Sequence, residues 1–157
     1  MENDNKILKN EKPKDGESRP FERLLYAAFC GTGKSYLCNN FADDYMELEC
    51  WKYRQGDFPD NYIQDVIRAM GKTKYLFIST DPVILKELNK RGIKIYLYYP
   101  QNKLRNEYLD RFLERDSPQD FIGAIMKCWD TWIDELKAQN YCKHIVLNSG
   151  EYLQDVI

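Results

Sequence analysis

Five consecutive residues, Gly31-Thr32-Gly33-Lys34-Ser35, restrict the folding choices of this chain more than any other segment. They follow a nearly unbroken apolar run, Leu24-Leu25-Tyr26-Ala27-Ala28-Phe29, of the kind expected for a central strand covered on both faces. A helix-like stretch to about residue 41 comes next. Strand, glycine-rich turn, Lys-Ser and helix in that order place successive backbone N–H groups around one point in space, and glycines let the backbone close tightly there.

Beyond the turn, short apolar runs and amphipathic stretches alternate. A short strand is expected over residues 45–50, a helix over 61–70 closed by Gly71, and the clearest strand over 75–79. Asp81 ahead of Pro82 reads as the cap of a helix that carries Val83, Leu85 and Leu88 and stops at Gly92. Residues 93–99 form another strand, 104–115 a heavily charged helix, and Ser117-Pro118 opens one long amphipathic helix. The spacing of Trp129 and Trp132 on that helix marks both as core residues. A last strand over 144–147 precedes a short terminal helix holding Tyr152, Leu153 and Val156. Apolar strands alternating with helices predict an α/β fold, a parallel sheet with helices on both faces.

The 157 residues suffice for one domain. Residues 1–20 are charged, carry two prolines and hold almost nothing apolar, which predicts a disordered or loosely attached tail before a domain spanning 21–157. Twenty-three basic against 25 acidic side chains argue against a surface that tracks nucleic-acid phosphates. No apolar stretch approaches the ~20 residues needed to span a bilayer. Five scattered cysteines and a single histidine predict a reduced, cytoplasmic chain without a metal cluster. That histidine, His144, reads as structural.

The chemistry follows from the glycine-rich turn. Loop amides and the start of the helix would face a phosphate, the Lys34 ammonium would reach the β- and γ-phosphates, and the Ser35 hydroxyl would ligate Mg²⁺. The nucleotide-binding segment is thus Gly31, Thr32, Gly33, Lys34, Ser35 and Tyr36. One position departs from GxxxxGK[ST]: Ala28 stands where the pattern has glycine. Asp81, at the end of the 75–79 strand, is the expected metal carboxylate, with the helix-cap role as its alternative. Glu47 and Glu49 share a strand face and are the other candidates, and an ordinary half-exposed strand explains them equally. Arg111 and Arg115, four apart on one helix face with Tyr108 a turn earlier, are expected to close over the phosphates as lid cations. The alternative is a solvated helix with surface pairs Glu107–Arg111 and Arg111–Glu114. Trp51 and Tyr53 lie where they could stack on an acceptor base, and plain packed or exposed aromatics are the competing account.

The segment FCGTGKSYL, the strand YLFIST with its following helix, and the run YYPQNKLRNEYLDRFLERDSPQDFI resemble the P-loop nucleoside and nucleotide kinase superfamily, in the small adenylate kinase-like form carried by many bacteriophages. The resemblance covers about residues 23–157. It implies a three-layer fold with a five-stranded parallel sheet of order 2-3-1-4-5 and a short lid. It also implies ATP and Mg²⁺ as cofactors, and transfer of the γ-phosphate to a nucleotide or nucleoside in the cytoplasm, that of the host if phage-encoded. In that reading Lys34, Arg111 and Arg115 are catalytic, and a homodimer stays open. The alternative on the same fold is a weakly active or inactive nucleotide-binding regulator.

Overall fold

The computed structural model describes residues 24–157; the predicted tail, residues 1–20, lies outside them. Five strands form one all-parallel sheet in the order β2-β3-β1-β4-β5: β1 (Leu24–Ala28), β2 (Tyr45–Glu47), β3 (Tyr75–Ile78), β4 (Lys94–Pro100) and β5 (Lys143–Leu147). The α/β architecture and the strand order are those expected. β1 lies at the centre, with Tyr26 opposite Phe77 on one side and Tyr96 on the other.

Period-two alternation along the strands divides the sheet between two cores. Leu25, Ala27, Leu76, Ile78, Ile95 and Leu97 face the larger one. Its covering side chains come from α2 (Asp60–Ala69), α3 (Pro82–Lys90), α4 (Arg105–Glu114), α5 (Gln119–Lys127) and α6 (Trp129–Lys137). Ala28, Phe77 and Tyr98 face the other way, against Leu37 of α1 (Lys34–Asn40) and Leu153 of α7 (Leu153–Val156). These are short helices, and tyrosines fill much of that face. Tyr26 lies edge-on to Tyr75 at 5.1 Å and to Tyr96 at 5.6 Å, and Tyr45 stacks on Tyr75 at 4.7 Å.

Two expectations need correction. The single long helix after Pro118 is broken at Cys128, which has φ −100° and ψ 8°. Arg105 donates to the Met126 carbonyl from Nε at 3.3 Å and Nη2 at 3.1 Å, drawing off an acceptor that a continuous helix would offer to residue 130. The Trp129 indole is meanwhile anchored to the Asn102 carbonyl at 2.8 Å. The two tryptophans, both on α6, differ in burial. Trp129 is 1% exposed, but Trp132 is 38% exposed and is no core residue.

Candidate functional site

β1 delivers the chain to the C-terminal edge of the sheet, where Phe29 donates to the Tyr98 carbonyl at 2.9 Å and the backbone turns. Gly31 at φ +81° and Gly33 at φ +106° both occupy the left-handed region. A side chain at either position would also meet an aromatic ring, since a Cβ on Gly31 would lie 2.9 Å from Phe112 and one on Gly33 3.3 Å from Tyr152. Thr32 between them is fully buried, and its hydroxyl donates to the Phe29 carbonyl at 2.6 Å. Residues 31–35 therefore form a wound loop, not an extended strand.

The carbonyls of this loop are claimed by the protein. Arg111 Nη1 donates to Gly31 O at 2.9 Å, Leu153 N to Thr32 O at 2.9 Å, and Leu37 N to Gly33 O at 3.2 Å. Among the described residues, no acceptor takes the backbone N–H groups of Gly31, Thr32, Gly33, Lys34 or Ser35. A row of amide donors with no protein partner is the arrangement that binds an anion.

Lys34 opens α1, and its Nζ lies 3.4 Å from Glu47 Oε1, with both side chains largely buried at 18% and 15% exposure. Glu47 closes β2 opposite Phe77 and thus reaches the face on which α1 lies. Asp81, the expected metal carboxylate, is held elsewhere. Its Oδ1 accepts from Val83 N at 2.9 Å as the N-cap of α3, and its Oδ2 accepts from Arg54 Nη2 at 2.9 Å. The cap predicted for Asp81 is present, and both oxygens have partners. Ser35, exposed at the start of α1, and Glu47, beside Lys34, offer hard oxygen donors of the type Mg²⁺ takes. Tyr36 is 53% exposed and edge-on to Phe41 at 6.4 Å. Glu49 does not join Glu47; it accepts from the Trp51 indole.

The two lid candidates part company. Arg115 is exposed at the C-terminal end of α4, with Nε donating to Ser117 Oγ at 2.9 Å and its guanidinium over Phe112 at 4.9 Å. Arg111 is 9% exposed and committed to backbone: beside Gly31 O it binds Glu151 O at 3.0 Å. Its ion pair with Glu107 spans 3.6 Å, and no Arg111–Glu114 pair occurs among the described residues. Neither a free lid arm nor a solvated surface pair describes it. Burial pushes the neighbouring Cys30 thiol up to about 11, opposed by the positive charges of Lys34 and Arg115.

At the ends of β2 and β3 the chain is tied through Tyr62, which sequence reasoning missed as a positioning group. Its hydroxyl donates to Leu48 O at 2.7 Å and accepts from Ser79 N at 3.2 Å, while Ser79 Oγ accepts from Cys50 N at 3.1 Å. Burial raises the Tyr62 pKa to about 12, so it remains a donor at any ordinary pH. Trp51, in the 3₁₀ turn Cys50–Tyr53, is 66% exposed, whereas Tyr53 is tied to Asp65 at 2.8 Å. A recess lined by Asp57, Phe58, Asp60, Asn61 and Gln64 includes none of the loop residues. His144 is structural in its contacts, with Nδ1 2.7 Å from Tyr99 Oη and Nε2 bonded to Gln139 O.

No protein-family model and no curated protein matches this chain. Among the described residues, no helix is long and apolar enough to cross a membrane.

Proposed function

We propose that this protein is an ATP-dependent phosphotransferase that moves the γ-phosphate to a nucleotide or nucleoside, on the pattern of the small P-loop kinases it resembles. The observation that carries the reading is the wound loop 31–35, whose amides have no acceptor among the described residues and whose Lys34 stands at the C-terminal edge of a parallel sheet. Open α/β sheets bind ligands at that edge.

In this reading the loop amides and the Lys34 ammonium hold the β- and γ-phosphates, which requires Lys34 to exchange Glu47 for phosphate. Released from the ion pair, the Glu47 carboxylate is placed to hold Mg²⁺ with Ser35 or to accept the proton of an acceptor hydroxyl. Bound Mg²⁺ would neutralise charge on the phosphate oxygens. Arg115, exposed and held by Ser117 and Phe112, is the cation that would turn to meet the developing equatorial charge, and Trp51 the exposed ring available to an acceptor base. The chain's main tasks are then positioning and charge neutralisation, which suffice for phosphoryl transfer.

A second reading, nucleotide binding without turnover, draws on Arg111, whose guanidinium is already bonded within the protein, and on Ala28. ADP release measured across a panel of nucleosides and nucleoside monophosphates separates the two. Acceptor-dependent turnover supports the kinase, and ATP binding without turnover supports the regulator. Lys34→Ala is expected to lower ATP affinity or turnover by orders of magnitude with an unchanged circular dichroism spectrum; unaltered nucleotide binding in that variant refutes the site.

A further inference from the structure

Arg111 makes an unusual set of contacts for a residue on a charged helix. Its guanidinium lies 4.3 Å from the Tyr108 ring and 3.9 Å from the Tyr152 ring. Its two Nη atoms donate to carbonyls 80 and 40 residues away along the chain, Gly31 O in the phosphate loop and Glu151 O in the segment between β5 and α7. Glu107, one turn back on α4, completes the node: it pairs with Arg111 and accepts from Ser149 Oγ at 2.6 Å and Gly150 N at 3.2 Å. A second tie runs directly from Leu153 N to Thr32 O.

The peptide group between Gly31 and Thr32 is planar, so its C=O and N–H point in opposite directions. Holding Gly31 O against Arg111 turns the Thr32 N–H away from α4, to a side where no protein acceptor takes it. Leu153 does the same for the Gly33 N–H through Thr32 O. We infer that Arg111 is a positioning residue, not a lid cation: it locks the phosphate loop to the β5–α7 segment and so fixes the direction of the anion-binding amides. The inference rests on the nucleotide-binding reading above and assigns Arg111 a different part in it. Preorganised donors hold ground state and transition state alike, so their loss weakens affinity and spares kcat, whereas a lid cation acts mainly in the transition state.

The roles differ in what they do to binding and to kcat. Arg111→Lys keeps the charge but loses the planar fork that serves two carbonyls between two rings. It is expected to raise the calorimetric Kd for MgATP and for inorganic tripolyphosphate about tenfold, the scale of a lost charge-assisted bond, and to leave kcat at saturating ATP within about threefold. Arg115→Ala is expected to show the reverse split. Glu107→Gln, on the exposed side of the node, guards against a folding failure in Arg111→Lys and should raise both dissociation constants about threefold. Thermal melts run alongside report loss of fold. Parent-like affinities in Glu107→Gln together with Arg111→Lys, or a fall in kcat alone in Arg111→Lys, overturn the assignment while leaving the phosphate loop in place. A parent chain that binds neither MgATP nor tripolyphosphate removes both readings together.

Discussion

Three glycine-to-alanine substitutions separate the backbone requirement of the loop at residues 31–35 from its packing. At Gly123, inside α5, no atom lies within 4 Å of a new Cβ, and alanine should stabilise by about 0.5–1 kcal/mol through helix propensity and a less flexible unfolded chain. At Gly92, φ +74° with open space around the Cβ, only the left-handed backbone resists: about 1–2 kcal/mol, offset by about 0.4–1 kcal/mol from the unfolded state, leaves a net cost near 1 kcal/mol. Gly31 carries the same backbone cost at φ +81° and adds contacts of 2.9, 3.0 and 3.1 Å to the rings of Phe112 and Tyr108. Both rings are fully buried and cannot swing clear, so overpacking contributes a further ~1–3 kcal/mol and the net cost comes to about 3 kcal/mol. Urea unfolding with a shared slope reads all three values. Should Gly31→Ala fall within about 0.5 kcal/mol of Gly92→Ala, the close approach of α4 to the loop is refuted, and the Arg111 contact with Gly31 loses its basis.

Two further outcomes follow from titration. The hydrogen bond from Ser149, then the Gly150 N–H and the Arg111 charge, hold the Glu107 carboxyl below its ordinary pKa of 4.5. A depressed native pKa contributes stability in full above the unfolded value and loses it as pH falls through the native one. The stability difference between the parent and Glu107→Gln should therefore be constant near neutrality and shrink as pH drops below 4.5; a difference that persists into acid denies the interaction. Cys30, raised to about 11 chiefly by burial, should resist iodoacetamide at pH 8, where about one thiol in a thousand is ionised, and react faster as pH climbs. Peptide mass spectrometry checks this, and modification of Cys30 at the rate of an unfolded chain would contradict its burial.

Local signals were legible in this sequence and long-range ones were not. The apolar runs at 24–29, 75–79 and 93–99 announce buried parallel strands because both faces of each must be covered, and the strands lie where those runs place them. Asp81 before Pro82 announces a helix start within three residues, and Val83 N completes the bond. Helical spacing, however, reports which side chains share a face and not what lies opposite. Arg111 and Arg115 stand four residues apart as expected, yet one meets the carbonyls of Gly31 and Glu151 and the other Ser117 at the exposed helix end, a difference that spacing does not carry. The break at Cys128 was equally hidden: Arg105, which bonds the Met126 carbonyl beside it, lies 21 residues away.

The same distinction explains how so small an amount of covering structure can shape the loop. An anion site of the kind proposed needs donors that point outward before the anion arrives, and isolated glycine-rich peptides do not hold that geometry, since each glycine costs more ordering entropy than any other residue. Here the cost is met through the carbonyls. Phe29 O takes the Thr32 hydroxyl, Gly31 O takes Arg111, Thr32 O takes Leu153 N and Gly33 O takes Leu37 N, so four consecutive or near-consecutive acceptors are fixed by groups from the loop itself, α4, α7 and α1. Planarity carries each constraint across to the amide on the far side. Because α7 is only four residues long, one of these anchors depends on a helix too short to be stable alone. Its hold on the loop comes from Leu153 in the second core and from Arg111 fixing the segment just before it, which couples α7 to the orientation of the loop at residues 31–35.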